Sequence, residues 1–271
     1  MSPGNPPVRR RFVDVGNGQA HLRLAGHISE KPTVVCLHMV PKSSRTFAGI
    51  LPLLARDRLV IAPDLPGYGE SDAHDGDSPV SIEDYARLVW EVIDVFGLRD
   101  VCFIGYHTGS MVAVAATRQR PEAVQRLINI SAPVLTPEEV RQMLNDFAPI
   151  PLDEAGTRFR TMWQRVMRFR GPGMTLEMCA ASMADNLRGG EQYEEGHRAA
   201  FENSARYQAD LPLIEQPLLV MNIRDDLYDH TGRVDPLLNN GERRDYPQWG
   251  NGFLEVSPQP VAREMLAFLD G

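Results

Sequence analysis

Gly105-Tyr106-His107-Thr108-Gly109 is the stretch that decides the fold. The apolar run Val101-Cys102-Phe103-Ile104 precedes it, and the small-residue stretch Met111-Val112-Ala113-Val114-Ala115-Ala116 follows. A buried strand that turns sharply into a helix crowds its own backbone, and glycines at 105 and 109 relieve that crowding. The middle residue of such a turn is thrown out above the sheet. The G-x-S-x-G pattern places a nucleophilic serine there. In this chain the residue is His107.

The same alternation extends outward from the turn. Residues 11–15 and 19–25 read as a hairpin, with Ala20, Leu22 and Leu24 alternating with His21 and Arg23 and a turn at Gly16-Asn17-Gly18. Thr33–Leu37, Leu59–Ile61, Val101–Ile104, Leu127–Ile130 and Leu218–Met221 are apolar without alternation, as strands covered on both faces are. Between them lie helices. Ser81 and Asp84 form a capping box, Ile82, Tyr85, Ala86, Val89, Ile93 and Phe96 recur on one face, and Gly97 ends the run. A last helix is expected over Pro260–Leu269. Strand alternating with helix predicts an α/β protein with a mostly parallel sheet and helices on both faces. From Pro137 to Leu213 the strand signal stops and helical stretches rich in Met and Phe take over, which reads as an inserted helical cap. The expected division is a core of residues 1–136 and 214–271 and a cap of 137–213. Most cap methionines are expected in its own core, with some facing a pocket.

The 271 residues allow one large core with a subdomain. A net charge of −8 with no basic stripe argues against nucleic acid and anionic membrane surfaces as partners. Arg9-Arg10-Arg11 reads as a solvated edge before the first strand. The three cysteines lack metal-ligand spacing, and Cys36 and Cys102 sit in apolar runs as small hydrophobes. The polar, proline-rich stretch Met1–Pro7 has no apolar secretion core, so a cytoplasmic protein is expected, as a monomer or homodimer.

Four segments resemble the α/β-hydrolase superfamily, in its capped, epoxide hydrolase, haloalkane dehalogenase and esterase-like branch, and the likeness runs from about Arg11 to the end. Leu37-His38-Met39-Val40-Pro41-Lys42-Ser43-Ser44 looks like the family's His-Gly oxyanion loop, with Met39 in the glycine place. Asp64-Leu65-Pro66-Gly67-Tyr68-Gly69-Glu70-Ser71-Asp72 is similar to the family signature after the fourth strand. The elbow is the third segment. The fourth is Asn222-Ile223-Arg224-Asp225 with Gly250-Asn251-Gly252 before the last helix. The resemblance implies a triad acid at Asp225 and a triad histidine at 251, where this chain has Asn251. It also implies oxyanion amides at Met39 and Thr108, with His38 and Tyr106 beside them. Two of three triad positions thus depart from the family, so the ordinary acyl-serine route is not expected.

A neutral imidazole carries a free ring nitrogen near pH 7 and needs no second base. His107 could attack a carbonyl directly. Its ring also reaches further than a hydroxyl, into the space a triad histidine would fill, where Asp225 could orient it as a general base. The base role is favoured, since it needs only hydrogen-bond reach. Asn251 reads as a neutral donor that positions substrate or Asp225, as a relic of lost hydrolysis, or as an introduced substitution. Ser110 is expected in helix packing, Ser43 and Ser44 in loop bonding, and His230 at the surface. The expected function is hydrolysis of a small hydrophobic ester or carbonyl compound without metal or organic cofactor. A cofactor-free lyase, cyclase or isomerase using His107, and an inactive ligand-binding protein, are the alternatives.

Overall fold

The sheet is built from the runs that the sequence leaves unbroken. In this computed structural model, which describes residues 4–16, 18–73, 79–190 and 192–271, eight strands are present: β1 (Arg9–Val15), β2 (Gly18–Ala25), β3 (Thr33–Leu37), β4 (Val60–Pro63), β5 (Val101–Tyr106), β6 (Val124–Ile130), β7 (Leu218–Ile223) and β8 (Gly241–Tyr246). They pair in the order β1-β2-β4-β3-β5-β6-β7-β8. β1 and β2 form the expected antiparallel hairpin, β2 lies antiparallel on β4, and the pairs from β4 onward are parallel. Asn17, in the expected turn, lies outside the described residues. β3, β4, β5 and β7 are buried at every position, which is why their sequences do not alternate.

Two departures have physical reasons. His21 was expected to face solvent, yet it is 2% exposed, because its Nδ1 meets the buried Asp64 carboxylate at 2.7 Å. β8 was not expected at all. It is an edge strand whose Gly-Glu-Arg-Arg-Asp-Tyr sequence is buried only at Tyr246, and charged edges of this kind resist pairing with another chain.

Eleven α-helices are described: α1 (Leu51–Leu54), α2 (Ile82–Val95), α3 (Thr108–Gln119), α4 (Pro137–Asp146), α5 (Thr157–Arg168), α6 (Leu176–Arg188), α7 (Gln192–Glu202), α8 (Ser204–Asp210), α9 (Tyr228–Thr231), α10 (Phe253–Val256) and α11 (Pro258–Leu269). The Ser81–Asp84 capping box is present at the start of α2, and Gly97 takes a positive φ just past its end. One apolar cluster lies between the sheet and α2 and α3, a second between the sheet and α1, α10 and α11. From β6 to β7 the described residues run through α4 to α8 with no strand between them. The carboxyl ends of β3, β5, β6 and β7 share one edge of the parallel sheet, where open α/β sheets hold their ligands.

Candidate active site

His107 stands where β5 turns into α3. Its backbone takes φ 48° and ψ −112°, a positive-φ state that L-residues rarely adopt. The turn is held by the His107 N–H donating to Ile130 O at 3.0 Å. The flanking glycines have no room for a side chain. A Cβ at 109 would lie 2.0 Å from Leu37 O, and one at 105 would lie 2.3 Å from Gly109 O. Ser110, expected in helix packing, lies in the first turn of α3, and its Oγ also donates to Gly105 O at 2.9 Å and Ile130 O at 3.1 Å, which supports the turn.

The His107 ring reaches Asp225 directly. Nε2 lies 2.9 Å from Asp225 Oδ2, and the carboxylate is fully buried just past β7. Ser131 Oγ–H donates to the same Oδ2 at 2.7 Å, and the Leu227 amide donates to Oδ1 at 2.9 Å. These donors fix the carboxylate, so in the neutral ring Nε2 carries the proton toward it and Nδ1 keeps its lone pair. Among the described residues Nδ1 has no protein partner. Burial pulls the His107 pKa down, but the Asp225 charge, its hydrogen bond and the Asp226 charge outweigh that, and the pKa stands above its ordinary value. Ser131 was not singled out in the sequence. Its φ of +52° at the end of β6, unusual for serine, turns its hydroxyl toward Asp225.

His107 opens onto a cavity of about 570 Å³. Met39, Tyr106, His107 and Asn251 line it, whereas Thr108, His38 and Asp225 stand behind the wall. Met174, Met178, Phe147, Val166 and Phe169, all between β6 and β7, give it an apolar side. The Thr108 amide heads α3 and so has no acceptor within the helix. Neither it nor the Met39 amide donates a hydrogen bond among the described residues.

His38 is fully buried. Its Nδ1–H donates to Met39 O at 2.9 Å, and its Nε2 accepts from the Leu65 amide at 2.8 Å, so both ring nitrogens are spent on the loop rather than on a ligand. Among the described residues Asn251 forms no hydrogen bond to Asp225. Its Oδ1 accepts from Tyr106 O–H at 3.1 Å, and its Nδ2 donates to Asp226 Oδ1 at 3.4 Å. His230 faces Glu139 at 3.5 Å, and Trp249 stacks on Tyr246, neither of them at the cavity.

Three cavity residues gave no signal in the sequence. Lys42 donates to Ser182 and Asn186 of α6 and so ties the loop after β3 to that helix. Burial pulls its pKa down to about 8, against the charge of Asp185. His197 of α7 donates Nδ1–H to Tyr193 O at 2.9 Å and stacks on Phe147 at 4.5 Å. Burial brings its pKa down to about 4, so the ring is neutral and offers Nε2 as an acceptor. Asp226 lies on the rim. One ligand atom each from His107, Asp225 and Asp226 fall within 4.8 Å of one another, a set that could hold a metal ion. Asp225 Oδ2 already accepts from His107 and Ser131, and Oδ1 from the Leu227 amide, so an ion would compete with these donors.

A family model described as alpha/beta hydrolase fold matches residues 32–169, just over half of the chain and the part that carries β3, the elbow and β6. The chain belongs to the α/β-hydrolase fold family. An uncharacterized protein of Mycobacterium tuberculosis is 32% identical to this α/β-hydrolase over 126 residues, 46% of this chain and 36% of that protein. A haloalkane dehalogenase of Mesorhizobium japonicum is 36% identical over 93 residues, 34% of this chain and 29% of that enzyme. The match thus spans about a third of the length of these curated relatives. Cfl2 of Burkholderia cenocepacia superposes with a TM-score of 0.77 at 22% identity, over 97% of this chain and 96% of its own, a likeness of fold. Among the described residues, no helix of the α/β-hydrolase is long and apolar enough to cross a membrane.

Proposed function

We propose that this α/β-hydrolase hydrolyses a small, largely apolar ester or related carbonyl compound with His107 as general base. The observation that carries the reading is the 2.9 Å contact between His107 Nε2 and Asp225 Oδ2. It sets the imidazole tautomer and leaves the Nδ1 lone pair for a proton on the cavity side. Nδ1 is flanked by the ring carbon that bears the side chain, so direct attack on a carbonyl carbon is crowded. Taking a proton from water is not, and this favours the base over the nucleophile.

In the proposed reaction the substrate carbonyl lies against the Met39 amide, which lines the cavity. His107 takes a proton from a water that attacks the carbonyl carbon. That amide stabilises the resulting oxyanion, and the imidazolium, paired with Asp225, returns its proton to the leaving oxygen. Asn251 and Tyr106, whose ring lies 4.7 Å from that of His107, would position the substrate beside the base. Residues 137–213 act as a cap on a core of 1–136 and 214–271, and the apolar cavity wall contributed by that segment supports this division. The reaction needs no metal or organic cofactor.

The test is release of 4-nitrophenol from short and medium acyl esters by the purified protein. Turnover that falls at least a thousandfold in His107→Ala supports the reading. Turnover that survives His107→Ala, or no turnover together with tight, reversible binding of an apolar ketone, overturns it.

A further inference from the structure

Most arginines of this acidic chain that approach a carboxylate pair with it: Arg58 with Asp57 and Asp270, Arg120 with Asp94, Arg158 with Glu194, Arg233 with Glu139. Four at the cavity do not, and of these Arg165 still donates to Asp146 O and lies over Phe147, which leaves three with no side-chain partner. Arg10 of β1, Arg23 of β2 and Arg45 on the loop after β3 all line the cavity that contains His107. Among the described residues, none of their side chains forms an ion pair or a hydrogen bond. Arg10 and Arg23 are direct register partners across the hairpin, so their side chains share one face. Like charges placed directly opposite destabilise a sheet. Arg23 Nε is moreover buried without a partner, and an unsatisfied buried donor costs stability unless a ligand meets it. Burial lowers the Arg23 pKa, and the nearby charges of Arg45 and Arg10 lower it further, against Asp64 and Asp185. The edge expected to be merely solvated therefore places one of its arginines on the cavity wall.

We infer that Arg10, Arg23 and Arg45 form an oxyanion site at the mouth of the cavity, which takes a phosphate group borne by the substrate. Guanidinium forks match tetrahedral oxyanions through paired N–H donors. Three guanidinium forks offer more donors than the two oxygens of a carboxylate can take up, which favours a phosphate. Asp64, held at about 2 by its His21 bond and backbone donors against burial, offsets one of the three positive charges, while Asp185 faces Lys42 as well. Glu255 also lines the cavity but pairs with none of the three. The substrate would then be an apolar ester with its scissile carbonyl near His107 and a phosphate at its far end. This last step rests on the hydrolase reading, whereas the anion site does not.

Calorimetric titration with inorganic phosphate at low ionic strength tests the site without any turnover. The expected result is one phosphate bound per chain, beyond a chloride control of matched ionic strength. Binding should weaken at least tenfold in Arg23→Gln and in Arg10→Gln/Arg45→Gln, and stay unchanged in Arg11→Gln, whose guanidinium lies over Phe96 on the other side. No binding beyond chloride, or binding unaffected by these changes, overturns the proposal. If Arg23→Gln does not fold, the exposed Arg10 and Arg45 variants decide. The ratio of kcat/KM for a 4-nitrophenyl ester ending in a phosphonate to that for the butyrate ester should fall about tenfold in Arg23→Gln. Phosphate binding without hydrolysis of either ester supports the anion site and overturns the hydrolase reading.

Discussion

Asp225→Asn is the change that most directly tests the dyad. The Leu227 amide donates to Oδ1 at 2.9 Å, so the new amide oxygen should keep that place and the new NH₂ should take the place of Oδ2. That nitrogen would face His107 Nε2 and Ser131 Oγ, 2.9 and 2.7 Å from the present oxygen. Ser131 can rotate its hydroxyl to accept. His107 cannot keep a proton on Nε2 against a donor, so the proton moves to Nδ1, the nitrogen assigned to catalysis. The fold is preserved, but the tautomer is reversed. In triad enzymes the equivalent change costs about 10⁴ in kcat. We expect a loss of about 10³–10⁴, or about 4–5.5 kcal/mol of barrier. The pH profile should change as well. The working base is the neutral ring, so kcat rises with pH through a limb above 6.5, because Asp225 and Asp226 together outweigh burial. Without the Asp225 charge, burial pulls that limb to lower pH. The measurements are 4-nitrophenyl ester kinetics from pH 5 to 9, ring ¹⁵N shifts of His107, and melting curves as a folding control. A variant within threefold of the parent kcat, or an unmoved limb, refutes the dyad.

Asn251→His should change the esterase rate less than threefold, because His107 already occupies the Asp225 oxygen that a triad histidine would need; a large gain in steady-state rate would show that residue 251 is the missing base. Gly109→Ala should destabilise by more than about 3 kcal/mol in denaturant titration or prevent folding, since its Cβ would sit 2.0 Å from Leu37 O. Dialysis against EDTA should leave kcat unchanged, and recovery of activity only on adding a divalent cation would instead assign His107, Asp225 and Asp226 to a metal. The folded protein holds the His107 proton more tightly than the unfolded chain does, so the pair's stabilising effect is complete below about pH 6.5 and fades as pH rises through the raised pKa. Melting temperatures across that window should fall less with pH in His107→Gln than in the parent.

The fold was legible because it depends on features that act locally. Buried parallel strands need unbroken apolar runs, the elbow needs its two glycines, and α2 announces itself with a capping box. What escaped depends on distant partners. β8 reads as a charged loop until β7 supplies its hydrogen bonds. His21 alternates with apolar neighbours like an exposed residue, and only Asp64, 43 positions away, explains its burial. At the site, His107 and Asp225 could be brought together on paper by the reach of an imidazole and the family position of the acid. Ser131 could not, because a serine at positive φ beyond a strand leaves no compositional trace. Asn251 was reached through its family position alone, and its partners, Tyr106 and Asp226, could not be read from the sequence.

The elbow carries a cost that helps to separate the catalytic from the decayed reading. A non-glycine residue at φ 48° costs about 1–2 kcal/mol, and a buried carboxylate costs more unless its bonds are satisfied. A chain that had only lost a serine could relax both, with glycine or asparagine at the tip and a neutral residue at 225. Instead the tip keeps a large ring in the strained turn. Asp225 keeps three donors, from His107, Ser131 and Leu227, that hold it oriented. The strain is spent on aiming one nitrogen at the carboxylate and its opposite at the cavity. Were the site inert, His107→Gly would be free to relax the turn and Asp225→Leu would remove a buried charge, so the double variant should gain stability and keep ligand affinity. If the site works as argued, that variant loses all turnover, and whatever stability it gains is what the strained, charged dyad costs the parent.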